Sequence, residues 1–323
     1  MISIIVSIYN AENYLSKCLN DLRYQTYHKL EIILVNNGST DASGEICERF
    51  SRADPRFKVI HKSNFGISAA YNAGLLIANG KYVSFVNALD RVDGMMFESL
   101  LSLSLKTGAD MVICSYIEET HHHSSKPLKP YRIQEWSSSQ AIQQEINRET
   151  MQGFMNNKLF MMDLFKESIT LRFNPSIYFF EDLLLCIECM LKSKKIIYTS
   201  TSYYHSFKNR YPLKTSLSLM EWKTGLTALL TVIVLCESLE ESNVTILKER
   251  YTALNLELLM QAYDQASRDQ GVINELKHNL YRYKLTELKN KKLRMACLTA
   301  RNNVRFSYCI WKRSNKKSLI SIK

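Results

Sequence analysis

The sequence predicts an α/β fold, a parallel sheet flanked by helices and followed by a helical appendage. Three observations carry that prediction. Short apolar runs alternate with helical patterns over the first 116 residues. Polar turn residues end one of these runs and lead into a helix, as in Asn37-Gly38-Ser39-Thr40-Asp41. From Thr215 onward apolar residues recur every three or four positions, and no proline follows Pro212.

In order, strands are expected at Ile2 to Ser7, Glu31 to Val35, Lys58 to Ile60, Tyr82 to Val86 and Met111 to Tyr116. Helices are expected at Ala11 to Tyr24, Ala42 to Ser51, Ile67 to Ala78 and Met95 to Lys106. Thr40 or Asp41 is the expected N-cap of the second helix. A loop of this kind, beyond the carboxyl end of a parallel strand, is where open α/β sheets bind ligands. Glu118 to Ser139 is polar, holds Pro127 and Pro130, and reads as an exposed connection. Its His121, His122 and His123 are read as surface residues rather than metal ligands, because adjacent side chains on one loop rarely converge on an ion. Leu226 to Leu239, Val244 to Ala266 and Val272 to Leu293 are expected helices of the appendage. The division is therefore 1–212 for the α/β domain and 213–323 for the helical region.

A hydrophobic content of 46% over 323 residues excludes disorder as a description of the whole. The apolar start is short, broken by Ser3 and Ser7, and preceded by no basic stretch, so a signal peptide is not expected. Leu226 to Cys236 is about half the roughly 20 residues a membrane span needs, and it reads as a buried helix. Eight cysteines lie scattered in apolar patterns, which suits a reducing cytoplasm. Cys186-Ile187-Glu188-Cys189 has no second ligand pair for zinc, so two core-facing thiols are expected.

The net charge of +11 is concentrated at one end. From Tyr281 onward thirteen Lys or Arg oppose the single Glu287, which leaves the remainder close to neutral. Leu288, Met295, Phe306 and Ile310 are interleaved with those cations. Such a pattern fits either an anionic membrane surface or a solvated helix face. Nucleic acid is not an expected partner, since the near-neutral remainder shows no binding module.

The runs IIVSIYNAENYLSKCLNDLRYQTY, EIILVNNGSTDASGEIC, SNFGISAAYNAGL, GKYVSFVNALD, NNKLF and YFFEDLLLCIECMLKSKKIIY occur in the order of bacterial family 2 glycosyltransferases that build capsular and surface polysaccharides. Over Met1 to His205 the chain resembles that family. The resemblance implies a GT-A fold, a Rossmann-like mixed sheet that binds nucleotide sugars. It also implies a UDP-sugar donor, a divalent cation such as Mn²⁺ or Mg²⁺, and direct displacement with inversion at the anomeric carbon.

Carried over by position, Ser7, Tyr9 and Asn10 match the loop that cradles uracil, and Glu12 lies in the same loop. Asn36 and Asn37 stand where the family has two aspartates; an Asn carbonyl still accepts a hydrogen bond from a base N–H. Asn87, Ala88, Leu89 and Asp90 replace Asp-Ser-Asp-Asp, the family's metal segment, so Asp90 alone remains as a carboxylate for the cation. Tyr71 replaces an Arg beside the donor, and Phe65 replaces a Gly. Glu181 and Asp182 match the acidic pair that supplies the general base, Asp182 taking the proton and Glu181 binding the acceptor or steadying the base. Read without the family, the pair is better explained as an acidic first turn that only complements a helix dipole. Lys158 and His205 match family segments without an assigned role.

Two functions follow. One is transfer of a sugar from UDP to a hydroxyl of a lipid-linked or protein-linked glycan, by a cytoplasmic enzyme resting on the membrane's inner face. The alternative is a catalytically inactive subunit that stabilises or positions a partner enzyme. Amphipathic helices in the last third make homo- or hetero-oligomers plausible.

Overall fold

The computed structural model describes residues 1–119, 124–125, 131–146, 155–166, 171–207, 218–237, 241–264 and 269–313. His121, His122 and His123 and the expected boundary at 212/213 lie outside them. Four strands form the parallel half of the sheet: β1 (Ile2–Ile8), β2 (Leu30–Asn37), β3 (Phe57–Lys62) and β4 (Tyr82–Asn87). Between and after them come α1 (Glu12–Arg23), α2 (Ser43–Ala53), α3 (Gly66–Ile77), the short β5 (Arg91–Val92) and α4 (Met96–Thr107). All the strands and helices expected in this stretch are present, with ends shifted by a few residues. The second helix begins at Ser43 rather than at a Thr40 or Asp41 cap, because Asp41 is drawn off to span two loops, one oxygen accepting from the Ser43 amide and the other from the Glu12 amide.

The second half mixes directions. β6 (Met111–Glu119), β7 (Ser124–Ser125), β8 (Ile133–Trp136), α5 (Ser138–Ile146), β9 (Lys158–Met161), α6 (Asp163–Lys166), α7 (Glu181–Lys192) and β10 (Ile196–Phe207) follow in sequence. Strand order is β3-β2-β1-β4-β9-β6-β10-β5, with β7 on β6 and β8 on β10. β9 runs antiparallel between β4 and β6, whereas β6 and β10 are parallel. Besides β6, β10 pairs with two more strands along its length: its first residues pair with β8, and after a register shift near Ser202 its later residues pair with β5. The expected exposed connection thus contains β8, where Trp136 stacks on Tyr198 at 4.2 Å, and leads into α5.

Side chains alternate across the strands and divide the core in two. Ile4, Val6 and Ile8 of β1 and Ile32 and Leu34 of β2 face α1, α2 and α4. Ile5, Ile33, Val35 and Phe85 face the other way, toward α3 and α7. There α3 comes so close that a Cβ at Gly74 would lie 2.3 Å from the Cγ2 of Ile5. Glu31 is buried under this sheet edge. Burial alone would raise its pKa, yet the Asn79 amide, Lys58 and Ser3 together hold it down at about 2.

The helical region adds α8 (Leu219–Leu235), α9 (Glu241–Asp264), α10 (Gln270–Asn279), α11 (Lys291–Asn302) and α12 (Val304–Arg313). α8 opens on a Ser218/Glu221 capping box. The single helix expected over Val272 to Leu293 is broken after Asn279, and α11 begins only at Lys291, where Asn290 accepts from the Leu293 amide. The break is closed by Arg301, whose guanidinium bonds the carbonyls of Leu280 and Tyr283. Leu229, Leu254, Leu276 and Trp311 share one apolar cluster with Ile5, Phe85 and Leu185. The helices therefore complete the sheet's own core.

Candidate active site

The parallel pairings bring one end of three strands together. Ser7 of β1 lies opposite Val35 of β2 and Asn87 of β4, and Ile8 lies opposite Asn36. Strand order reverses here, β1 passing to β2 on one side and standing beside β4 on the other, which is the point where such sheets open a crevice. Tyr9 is half exposed at the rim. Asn10 adopts a left-handed backbone (φ 48°), and its side-chain oxygen accepts from the Thr40 amide at 2.8 Å. Glu12 accepts from the Ala42 amide at 3.0 Å, so it clasps the loops after β1 and β2 together. These loops are thus tied to each other before any ligand arrives.

Asn37 is 3% exposed at the floor. Its amide nitrogen donates to the Asn64 side-chain oxygen at 3.0 Å and to the Gly66 carbonyl at 3.2 Å. Both partners are acceptors, which dictates which way the amide points. Its own oxygen, Oδ1, is buried and has no hydrogen-bond partner. A buried orphan acceptor costs about 1–3 kcal/mol, and a donor supplied by a ligand would relieve it. Asn36 is spent differently, its nitrogen facing His61 Nδ1 at 3.0 Å and its oxygen accepting from the Ser39 amide. Gly38 (φ 77°) carries the turn, and a Cβ there would press on the Asn64 backbone.

The metal segment has a structural occupation. Asp90 is 1% exposed, and its two oxygens accept from the Tyr204 hydroxyl at 2.8 Å and the Phe207 amide at 3.1 Å. Asn87 Oδ1 accepts from the Leu89 amide, and Leu89 offers no oxygen. A hard divalent cation needs several free anionic oxygens, and this donor set does not fit one. Among the described residues no group of three His, Cys, Asp or Glu could hold a metal ion. The Asp90 carboxylate instead ties β10 to the turn after β4.

Tyr71 does not line the mouth. It is 4% exposed, stacked on Phe173 at 4.9 Å and edge-on to Phe85 at 5.1 Å. Where the family has a cation this chain has a core aromatic. Burial pushes the Tyr71 hydroxyl pKa upward, and nearby Asp182, Asp90 and Glu181 add to the rise.

Glu181 and Asp182 form the first turn of α7, and the residue before them, Phe180, is held at φ 66°. A left-handed phenylalanine is a strained position, and here it immediately precedes the two carboxylates. Both residues are partly buried. Burial raises the Asp182 pKa to about 7, the Glu145 carboxylate adding to the rise and the Leu183 amide and Lys158 opposing it. Burial and then the neighbouring Asp182 carry Glu181 upward as well.

Beneath them lies a fully buried ion pair that sequence reading missed. Lys158 Nζ stands 3.1 Å from Glu145 Oε1 and 2.8 Å from Asn157 Oδ1, and Glu145 Oε2 has no hydrogen-bond partner. Glu145 gave no local signal, since its position on α5 only becomes meaningful once α5 packs on α7. Cys186 and Cys189 are core thiols with pKa values raised by burial. His205 faces Glu119 at 2.7 Å, away from the acidic pair of α7 in chain and bonding.

A switch point at β1 of an open α/β sheet and an acidic pair of raised pKa at the head of α7 fit the glycosyltransferase class. The glycosyl transferase family 2 model matches residues 3–168, and the chain belongs to that family. It is 31% identical over 209 residues to the putative glycosyltransferase EpsH of Bacillus subtilis, covering 63% of this chain and 60% of that protein. It is 36% identical over 171 residues to glycosyltransferase GlyG of Streptococcus pneumoniae, covering 51% and 56%. With GlyA of the same organism it shares 46% over 115 residues, 36% of this chain and 16% of that one. The chain thus spans between about a sixth and six tenths of these relatives. Its fold matches residues 1–349 of TarS from S. aureus, solved with UDP-GlcNAc, at a TM-score of 0.71 and 19% identity over 98% of this chain and 91% of that one.

Proposed function

We propose that this chain transfers a sugar from a UDP-sugar to a hydroxyl of a lipid-linked or protein-linked glycan, with inversion, in polysaccharide or glycoconjugate biosynthesis. The observation that carries the reading is the orphan Oδ1 of Asn37, a buried acceptor at the carboxyl end of β2 matched to the N3–H of a uracil. The UDP and UDP-GlcNAc bound by the TarS neighbours support the same nucleotide.

In this reading Asp182 takes the proton of the acceptor hydroxyl as its oxygen attacks the anomeric carbon. The bond from that carbon to the β-phosphate oxygen breaks, and UDP leaves with the electron pair. Attack from the face opposite UDP inverts the centre. Glu181 orients the acceptor. A pKa near neutrality suits the task, since the base is ionised at working pH and still basic enough to accept a proton.

One observation favours the inactive-subunit reading: Leu89 and the fully engaged Asp90 leave no carboxylate for a cation on the diphosphate. Calorimetry and turnover separate the two. UDP should bind in the micromolar range, with Asn37→Leu weakening it about tenfold, the loss of one buried hydrogen bond. Asp182→Asn should keep UDP binding and lower UDP release to acceptor by about 10²–10⁴-fold. Saturating UDP that produces no heat, in Mn²⁺ and in EDTA, would reject the transferase.

A further inference from the structure

We propose that the outer faces of α11 and α12 form a docking surface for an anionic lipid bilayer, lying flat on it. α11 buries Leu293, Cys297 and Ala300, and α12 buries Ser307 and Trp311. Both helices pack against α9 and against each other, and each turns its exposed face away from those contacts. On those faces Met295 (61%), Leu298 (41%), Phe306 (57%) and Ile310 (43%) are exposed. Met295 and Leu298 lie three apart on α11, and Phe306 and Ile310 four apart on α12, so each pair shares one side of its helix.

Charge decides what can cover this surface. From Leu288 to Arg313 the chain has eight Lys or Arg and no Asp or Glu. Lys291, Lys292 and Arg305 are exposed beside the apolar residues, and among the described residues no carboxylate forms an ion pair with them. A second copy of this face would oppose like charge to like charge. An anionic surface instead meets Lys291, Lys292 and Arg305 while the four apolar side chains enter the headgroup boundary. No helix among the described residues is long and apolar enough to cross a membrane, so the chemistry is that of a surface contact.

The test uses the full chain in flotation with vesicles of pure phosphatidylcholine and of phosphatidylcholine with 30% phosphatidylglycerol. The chain should float with the anionic vesicles only, and less at high salt. Lys291→Gln, Lys292→Gln and Arg305→Gln together should lower the partition constant on the order of 100-fold, each cation contributing severalfold. Phe306→Ser with Ile310→Ser should reduce it by a comparable factor. Circular dichroism and UDP calorimetry on the same variants verify that the body is intact. Three results would overturn the proposal: equal flotation with neutral vesicles, unchanged partitioning in both variants, or a concentration-dependent dimer abolished by the serine variant with no vesicle binding. None depends on catalytic activity, so failure of the transferase reading leaves this test standing.

Discussion

Asp182 and Asn37 show how one side chain's chemistry is set by what surrounds it. An exposed aspartate is ionised well below neutrality; burial and the Glu145 carboxylate hold this one at about 7. The base must be deprotonated to act, so the rate of transfer should climb with pH through about 7 and flatten above it. A pH–rate profile with its rise near 4 would mean that Asp182 is not the base. Because Glu181 lies beside it, the profile reports the pair rather than either group alone. Asn37 differs in that geometry rather than charge carries it: two acceptors fix the amide, and the leftover oxygen awaits a donor. Asp90 shows the opposite lesson, since a carboxylate in the family's metal position is already spent on Tyr204 and Phe207.

Elements matter through how closely they approach. α3 carries the loop that holds Asn37 and packs against β1 at Gly74, where no Cβ fits beside Ile5. Gly74→Ala should therefore cost about 1–3 kcal/mol despite alanine's better helix propensity. Thermal melts check it: a gain in stability would show that α3 can shift freely on the sheet. α7 is positioned from below by the Lys158–Glu145 pair and from its start by the left-handed Phe180. Most of these elements were legible in the sequence, because β1 to β4 are short apolar runs and α1 to α4 repeat apolar residues every three or four positions. The antiparallel β9, the three-partner strand β10 and the break after Asn279 were not. Their formation depends on neighbours far away in the chain, such as Arg301 reaching back to Leu280.

At the scale of the molecule, one apolar cluster joins the sheet to the helical region. Leu254 of α9 is fully buried in it. Leu254→Ala should destabilise the whole chain by about 2–5 kcal/mol, lowering a single unfolding transition rather than detaching the helices alone. Two separated calorimetric transitions would contradict a shared core. The basic terminal helices sit on that core and turn their charge outward, so the positive end of the molecule is held in a fixed place relative to the sheet.

The sequence alone determined the strand and helix periods, the acidic pair at the head of α7, the basic character of the last helices and the family these imply. Such features are local or additive: alternation, spacing and charge survive any rearrangement of distant parts. Only the tertiary structure decided that Tyr71 is core, that Asp90 is a tie between strands, that Asn37 keeps a free oxygen, and that a buried Lys158–Glu145 pair lies under the base. Each depends on which groups remain unpaired after the chain has closed, and hydrogen-bond satisfaction and desolvation are properties of the packed molecule rather than of any stretch of it.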